Sequence, residues 1–241
     1  MRLDQYLVTI GLAETRNQAQ ALIRTGQILV DETVRDKPGW PVKGEPKVRS
    51  RATKKRFVSR GGDKLYAAIK AFQWNCNKWI MADFGASTGG FTDCILQHGA
   101  QKVYAIDVGY GQLAWTLRQD KRVVVMERTN ARHLESLPEP IDAIVADLSF
   151  ISVTKMLPAM KRVIKPGGEG IILIKPQFEA GPGAIKNGVF KDPKMRLVAV
   201  NQTLDILKRE EIEIINHMQS PVPGAKKGNI EELAHIRFPS S

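Results

Sequence analysis

The sequence predicts an α/β fold, a seven-stranded and mostly parallel sheet with helices, preceded by a small α+β domain. Three observations carry this expectation. From Leu65 onward, short apolar runs alternate with helix-length segments, the pattern of a parallel sheet covered on both faces. Before that point the order is helix, turn, helix and short strands. Charge divides in the same way. Residues 1–60 hold 13 Lys/Arg against 6 Asp/Glu, a net of +7, and the remaining 181 hold 23 against 19, a net of +4.

In the first part, Leu3, Tyr6, Leu7 and Ile10 fall at helical spacing, and Gly11 can end that helix. Thr15-Arg16-Asn17-Gln18 fits a capping box with Thr15 as N-cap. Ala19, Leu22 and Ile23 form the stripe of a second helix, closed by Gly26. Residues 28–30 read as a strand, Asp31-Glu32-Thr33 as a turn and Val34 as the return; Lys37-Pro38-Gly39 is another turn. In the second part, strands are expected over 80–83, 103–107, 123–127, 141–147, 170–175, 212–215 and 233–238. Helices are expected over 92–97, closed by Gly99, and from Asp192-Pro193 through Arg209. The expected domains are 1–57 and 65–241, with a basic linker over 58–64.

Composition narrows the function classes. Hydrophobic residues at 43% and charged residues at 25% are ordinary globular values, which exclude a disordered or fibrous chain. No apolar run approaches the roughly 18–20 residues of a membrane-spanning helix. Asp4 stands where a signal peptide would begin its apolar stretch, so a cytoplasmic location is expected. Cys76 and Cys94 lack metal-ligand spacing and read as free thiols. His98, His133, His217 and His235 give no two-ligand spacing on one helix, so no metal is expected. From Lys43 to Arg60 eight basic residues face a single acid, Glu45. A charge run is often only a solvated linker. Its concentration here, through Arg49, Arg51, Lys54, Lys55, Arg56 and Arg60, favours a surface that neutralises phosphates.

The most informative segment is Asp83-Phe84-Gly85-Ala86-Ser87-Thr88-Gly89-Gly90-Phe91, between an expected strand and an expected helix. Glycines there let the backbone pass close to a ligand at the carboxyl ends of the strands. Asp107 and Glu127 end the next two strands, where an acid can accept hydrogen bonds from ribose hydroxyls. The rival is a dinucleotide oxidoreductase, but the spacing Gly85-x-x-x-Gly89-Gly90 lacks the Gly-x-Gly-x-x-Gly fingerprint. The leading acid suits a ligand with a cationic amino acid portion better than a pyrophosphate. Asp147-Leu148-Ser149-Phe150 follows the fourth strand and Lys175-Pro176-Gln177-Phe178-Glu179 the fifth. A lysine ending an apolar strand is costly unless paired; a nearby carboxylate and a functional use would both explain Lys175.

The phrases Arg2-Leu3-Asp4 and Arg24-Thr25-Gly26-Gln27-Ile28-Leu29-Val30-Asp31 resemble the alpha-L RNA-binding module of ribosomal-protein type. The glycine loop resembles the S-adenosylmethionine loop of FtsJ-like ribose methyltransferases. With Ser59-Arg60-Gly61-Gly62-Asp63-Lys64-Leu65 and Lys227-Gly228-Asn229-Ile230-Glu231, the chain is similar over both domains to the TlyA family of ribosomal RNA ribose methyltransferases, also labelled hemolysin A. The resemblance implies a Rossmann-like methyltransferase sheet, S-adenosyl-L-methionine as cofactor, and ribosomal RNA or ribosomal subunits as partner, with a cytidine 2′-hydroxyl as acceptor. It implies a catalytic tetrad of Lys64, Asp147, Lys175 and Glu231, the last less secure because Glu232 adjoins it. It implies cofactor contacts from residues 83–91, Asp107, Glu127 and Asp147, and RNA contacts from Arg2, Arg16, Arg24 and Lys37. A ribose hydroxyl is a poor nucleophile, so it must be oriented and relieved of its proton. Lys175 is the candidate base, with Lys64 and a sulfonium as neighbouring positive charges that favour its neutral form. Asp147 and Glu231 would position the lysines. The alternatives are an RNA-binding or ribosome-assembly protein with an inactive methyltransferase fold, and a membrane-lytic hemolysin. The second lacks a spanning segment or a long basic amphipathic helix.

Overall fold

The computed structural model describes residues 1–13, 15–51, 56–180, 185–186, 189–190, 193–224 and 229–240. Lys54 and Lys55, the Asp192 cap and the Lys227-Gly228 pair lie outside these residues. The chain divides into two compact units, Met1–Lys55 and Arg56–Ser241.

The first unit runs α1 (Leu3–Thr9), α2 (Arg16–Arg24), β1 (Ile28–Val30), β2 (Thr33–Val34) and β3 (Val48–Ser50). The strands form an antiparallel sheet in the order β2-β1-β3. Thr15 caps α2 as its spacing predicts, its hydroxyl accepting from the Gln18 N–H at 3.2 Å. Asp31 and Glu32, the two residues between the paired Val30 and Thr33, both have positive φ, as a two-residue hairpin turn demands. Leu3 and Leu7, Ala19 and Ile23, and Ile28 and Val30 close one small core between helices and sheet.

The second unit runs α3 (Arg60–Phe72), β4 (Ile80–Phe84), α4 (Gly90–Gln97), β5 (Lys102–Ile106), α5 (Trp115–Arg118), β6 (Val123–Met126), β7 (Ile141–Ala146), α6 (Leu157–Val163), β8 (Ile164–Ile174), α7 (Pro176–Glu179), β9 (Ile185–Lys186), β10 (Val189–Phe190), α8 (Pro193–Arg209), β11 (Glu213–Gln219) and β12 (Glu232–Arg237). Seven strands form one sheet in the order β11-β12-β8-β7-β4-β5-β6. Only β12 is antiparallel to its neighbours. The expected seven-stranded, mostly parallel α/β sheet is therefore present. Each strand splits its residues between two cores. Ala82, Phe84, Ile144 and Ala146 join one cluster, and Met81, Ala143 and Val145 the other. The chain builds outward from β4 through β5 to β6, then returns to place β7 on the other side of β4. That reversal leaves a crevice at the carboxyl ends of β4 and β7, where open α/β sheets bind ligands.

Three boundaries differ from those expected. Residues 60–64 are the first turns of α3 instead of linker, because Gly62, Lys64, Leu65, Ala68 and Ile69 form a buried face. Phe57 is 3% exposed and packs in the second unit's core, so it does not belong with residues 1–55. β8 begins at Ile164; the Pro166-Gly167-Gly168 stretch is absorbed by a register shift in the β7–β8 pairing.

Candidate active site

A cavity of about 410 Å³ opens in this crevice, within the usual range of small-molecule sites. Five segments build its wall. Arg60, Gly61 and Lys64 come from the start of α3, and Gly85 to Thr88, Gly90 and Phe91 from the β4–α4 loop. Asp147 and Ser149 follow β7, Lys175 and Gln177 follow β8, and Asn229 and Glu231 precede β12.

The glycines let the loop pack closely on its own neighbours. Gly85 has φ +84°, and a Cβ there would lie 2.9 Å from the Asp147 carbonyl oxygen. Gly89 caps α4 with φ +93°, and a Cβ there would meet Leu117 Cδ1 at 2.2 Å. Neither position tolerates a side chain. The other expected cofactor residues divide. Ala86, Ser87, Thr88, Gly90 and Phe91 line the cavity; Asp83, Phe84, Gly89, Asp107 and Glu127 do not. Phe84 is fully buried in the core.

Asp83 works as a brace within the loop. Its carboxylate is fully buried and accepts from the Thr92 N–H at 2.9 Å and the Thr92 hydroxyl at 2.6 Å. It thereby ties the end of β4 to the first turn of α4. Burial pushes its pKa up to about 7, against the pull of the Thr92 hydrogen bonds, with Asp147 and Asp107 adding repulsion. Asp107 accepts from the Ser87 N–H at 2.8 Å and the Gly109 N–H at 2.7 Å, so it holds the loop in shape. Glu127 pairs with the Arg118 guanidinium and accepts from the Gln112 N–H at 3.2 Å. The Arg118 hydrogen bond, foremost, holds its carboxyl down at about 2.

The four tetrad candidates converge on the cavity as two ion pairs. Lys64 Nζ lies 2.5 Å from Glu231 Oε2, and both side chains are buried. Gln177 Nε2 donates to the other Glu231 oxygen at 3.3 Å. Lys175 Nζ lies 2.5 Å from Asp147 Oδ1 and donates to Ser149 Oγ at 3.0 Å. The carboxylate beside Lys175 is thus Asp147. Glu232 points away from this group: it pairs with Arg196 at 2.6 Å and His217 at 3.3 Å. Ser149, Gln177 and Asn229 were not among the expected site residues. Ser149 lies two positions past Asp147, a spacing that returns a side chain to the same side of an extended segment, whereas Gln177 is placed by the first turn of α7.

The expected RNA-binding cations are spread over both units. In the first, Asp4 is fully buried and receives Arg2 at 3.1 Å, Arg16 at 3.0 Å and Gln20 at 2.9 Å. Burial alone would raise its pKa, but those hydrogen bonds hold the carboxyl well below the usual range. Both guanidiniums stay about half exposed. Arg24, Lys37 and Arg51 are exposed, and Arg49 pairs with Glu32 across the sheet. In the second unit, Arg56 stacks over Tyr66 at 4.0 Å, and Arg60 lines the cavity.

Cys76 and Cys94 are free and buried; burial pushes the Cys76 thiol up to about 11 and Cys94 higher still. Among the described residues, no three His, Cys, Asp or Glu are grouped to hold a metal, and no helix is long and apolar enough to cross a membrane.

Comparison with known proteins identifies the family. Residues 57–238 match the FtsJ-like methyltransferase family and residues 1–46 the S4 domain. The chain is 43% identical over 245 residues to "Putative rRNA methyltransferase YqxC" of Bacillus subtilis, covering 99% of this chain and 86% of that protein. It is 41% identical over 240 residues to "16S/23S rRNA (cytidine-2'-O)-methyltransferase TlyA" of Mycobacterium tuberculosis, covering 98% and 89%. A solved structure, "Putative hemolysin from Streptococcus thermophilus", superposes with a TM-score of 0.75 at 38% identity, covering 100% of this chain and 89% of that one. The chain therefore belongs to the FtsJ-like methyltransferase family, in the TlyA group that carries an S4 domain ahead of the methyltransferase sheet.

Proposed function

We infer that the protein is an S-adenosylmethionine-dependent 2′-O-methyltransferase of ribosomal RNA, acting on a cytidine ribose. The observation that carries this reading is the convergence of two lysine–carboxylate pairs on one cavity floored by a glycine loop. The cavity fits the cofactor: residues 85–88 line its wall, and Gly85, with no Cβ, lets the loop pack against the Asp147 backbone beside it. A bound S-adenosylmethionine supplies a methyl group already activated as a sulfonium. Ser87 and Thr88 would face the cofactor, while Asp107 and Glu127 hold the loops that shape its site.

The chain's own residues do the rest. Lys175, in its amine form, receives the proton of the ribose 2′-hydroxyl, leaving oxygen as the nucleophile. Asp147 balances the charge that then develops on Lys175. Lys64, fixed by Glu231, orients the hydroxyl and contributes positive charge beside the forming alkoxide. The S4 unit would bind the phosphate backbone through Arg2, Arg16, Arg24 and Lys37. The partner is ribosomal RNA or a ribosomal subunit, which implies work in the cytoplasm.

The test incubates the protein and a labelled methyl donor with each ribosomal subunit from a strain lacking it, then maps the modified ribose. A 2′-O-methylcytidine formed by the parent chain and absent with Lys175→Ala is the expected result. Label on a base or on protein would overturn the reading.

A further inference from the structure

We propose that Ser149 is a positioning residue for Lys175, holding the amine so that its lone pair, and not an N–H, faces the ribose hydroxyl. The inference rests on the methyl-transfer reading above.

Lys175 Nζ has two polar neighbours of unlike geometry. Asp147 Oδ1 is the closer, at 2.5 Å, yet it accepts no aligned hydrogen bond. Ser149 Oγ, at 3.0 Å, accepts an aligned one and is the one such acceptor for Lys175 Nζ among the described residues. The carboxylate thus supplies charge, and the hydroxyl supplies direction.

Direction matters for a lysine base. Its neutral amine carries two N–H bonds and one lone pair, exchanged by rotation about Cε–Nζ among staggered wells. An N–H that meets the substrate hydroxyl cannot take its proton. The N–H fixed on Ser149 occupies one tetrahedral direction, and the negative charge of Asp147 repels the lone pair from its own side, which leaves the remaining direction for the lone pair. In the transfer the hydroxyl O–H bond breaks and the Nζ lone pair takes the proton. The oxygen keeps the bonding pair, and the ammonium later returns the proton to solvent.

The surroundings hold Ser149 in place. Phe150, with φ +66°, turns the backbone directly after it. Three residues on, the loop is strapped to α7, where Glu179 accepts from the Ser152 hydroxyl at 2.5 Å and the Val153 N–H at 2.9 Å. Lys175 immediately precedes α7, so the same strap sets the spacing between base and hydroxyl. Ser149 itself is exposed at the cavity, so trimming its hydroxyl empties no core.

The experiment compares Ser149→Ala and Ser149→Thr in the full chain, with unmodified ribosomal subunits as acceptor. It measures kcat, KM for each substrate, S-adenosylmethionine affinity by calorimetry and the melting temperature. Ser149→Ala is expected to lower kcat about ten- to a hundredfold, the scale of a misplaced reacting group, with cofactor affinity and melting unchanged. Ser149→Thr, which keeps a hydroxyl, is expected to recover most of the rate. Parental kcat in Ser149→Ala, an effect confined to KM, or a Thr variant as slow as Ala overturns the inference while the parent stays active. A parent chain that transfers no methyl to ribose refutes the site reading and this inference together.

Discussion

Asp83 carries a pH signature that single-residue substitution can read. Its native pKa of about 7 lies above the ordinary carboxyl value because burial penalises the charged form. Between about pH 4 and 7 the folded state keeps a proton that the unfolded state has released. The stability Asp83 contributes is therefore full below about pH 4 and is lost as pH rises to 7. Asp83→Asn removes this titration. In urea unfolding, the parent should lose ground against the Asn variant by at most about 1.4 kcal/mol per pH unit across that window, and no further above it. A gap that stays flat from pH 4 to 7 would show that the buried carboxyl does not hold the proton. Gly89 offers a second test at this scale. Valine there meets Leu117 and Leu113 and must adopt a positive φ, two separate penalties. Gly89→Val should lower the melting temperature and abolish cofactor binding in calorimetry, whereas Gly11→Ala, where a Cβ meets nothing within 4 Å, carries only the backbone strain.

At the scale of elements, β12 shows how a strand sorts two adjacent acids. Successive side chains on an extended chain face opposite ways. Glu231 turns to Lys64 on α3, while Glu232 turns to Arg196 on α8 and His217 on β11. The two substitutions should therefore separate. Glu231→Gln should cut methyl transfer at least tenfold and, because buried Lys64 is left with a weaker partner, also lower stability by about 1–3 kcal/mol. Glu232→Gln should lower stability by about 1–3 kcal/mol, because Arg196 is left with a weaker partner, and should largely spare kcat. Equal rate losses in both variants would refute the division. This pair also marks the limit of what the sequence discloses. Strand cores such as Ile144–Ala146, the Thr15 cap and the glycine loop are local patterns, and they are legible. Lys64 and Glu231 stand 167 positions apart, and no periodicity announces that they meet. Family resemblance supplied the tetrad; residue spacing alone did not. The start of α3 was hidden for a related reason. Arg60-Gly61-Gly62-Asp63 reads as a charged, glycine-broken linker until Phe57 packs against Gly62, where a Cβ would come within 2.4 Å.

The whole molecule divides at residue 55, and that sets the truncation worth making. Removing residues 1–57 would strip Phe57 from the core, so the cut belongs after Lys55. Val58 then still donates its N–H to Asp93 at 2.8 Å, which anchors the new N-terminus to α4. Residues 1–55 hold 11 Lys/Arg and 6 Asp/Glu, so a net of +5 leaves and +6 of the total +11 remains. The shortened chain should melt cooperatively and bind S-adenosylmethionine as the parent does, because every cavity-lining residue lies in the second unit. Its methylation of ribosomal RNA should fall steeply at low RNA concentration. Its RNA binding should also depend less on salt, the log–log slope falling by about one for each phosphate it no longer neutralises. Two roles of the S4 unit are then distinguishable. If it only tethers, saturating RNA restores the parental kcat. If RNA bound to it also orders Arg60 and Lys64 at the cavity, kcat stays low at saturation. Asp4→Asn in the full chain sharpens the comparison. It loosens Arg2 and Arg16 without removing any charge from the arginines. Under tethering it should raise KM for RNA and leave kcat alone, and full activity of the truncated chain at low RNA concentration would refute both roles.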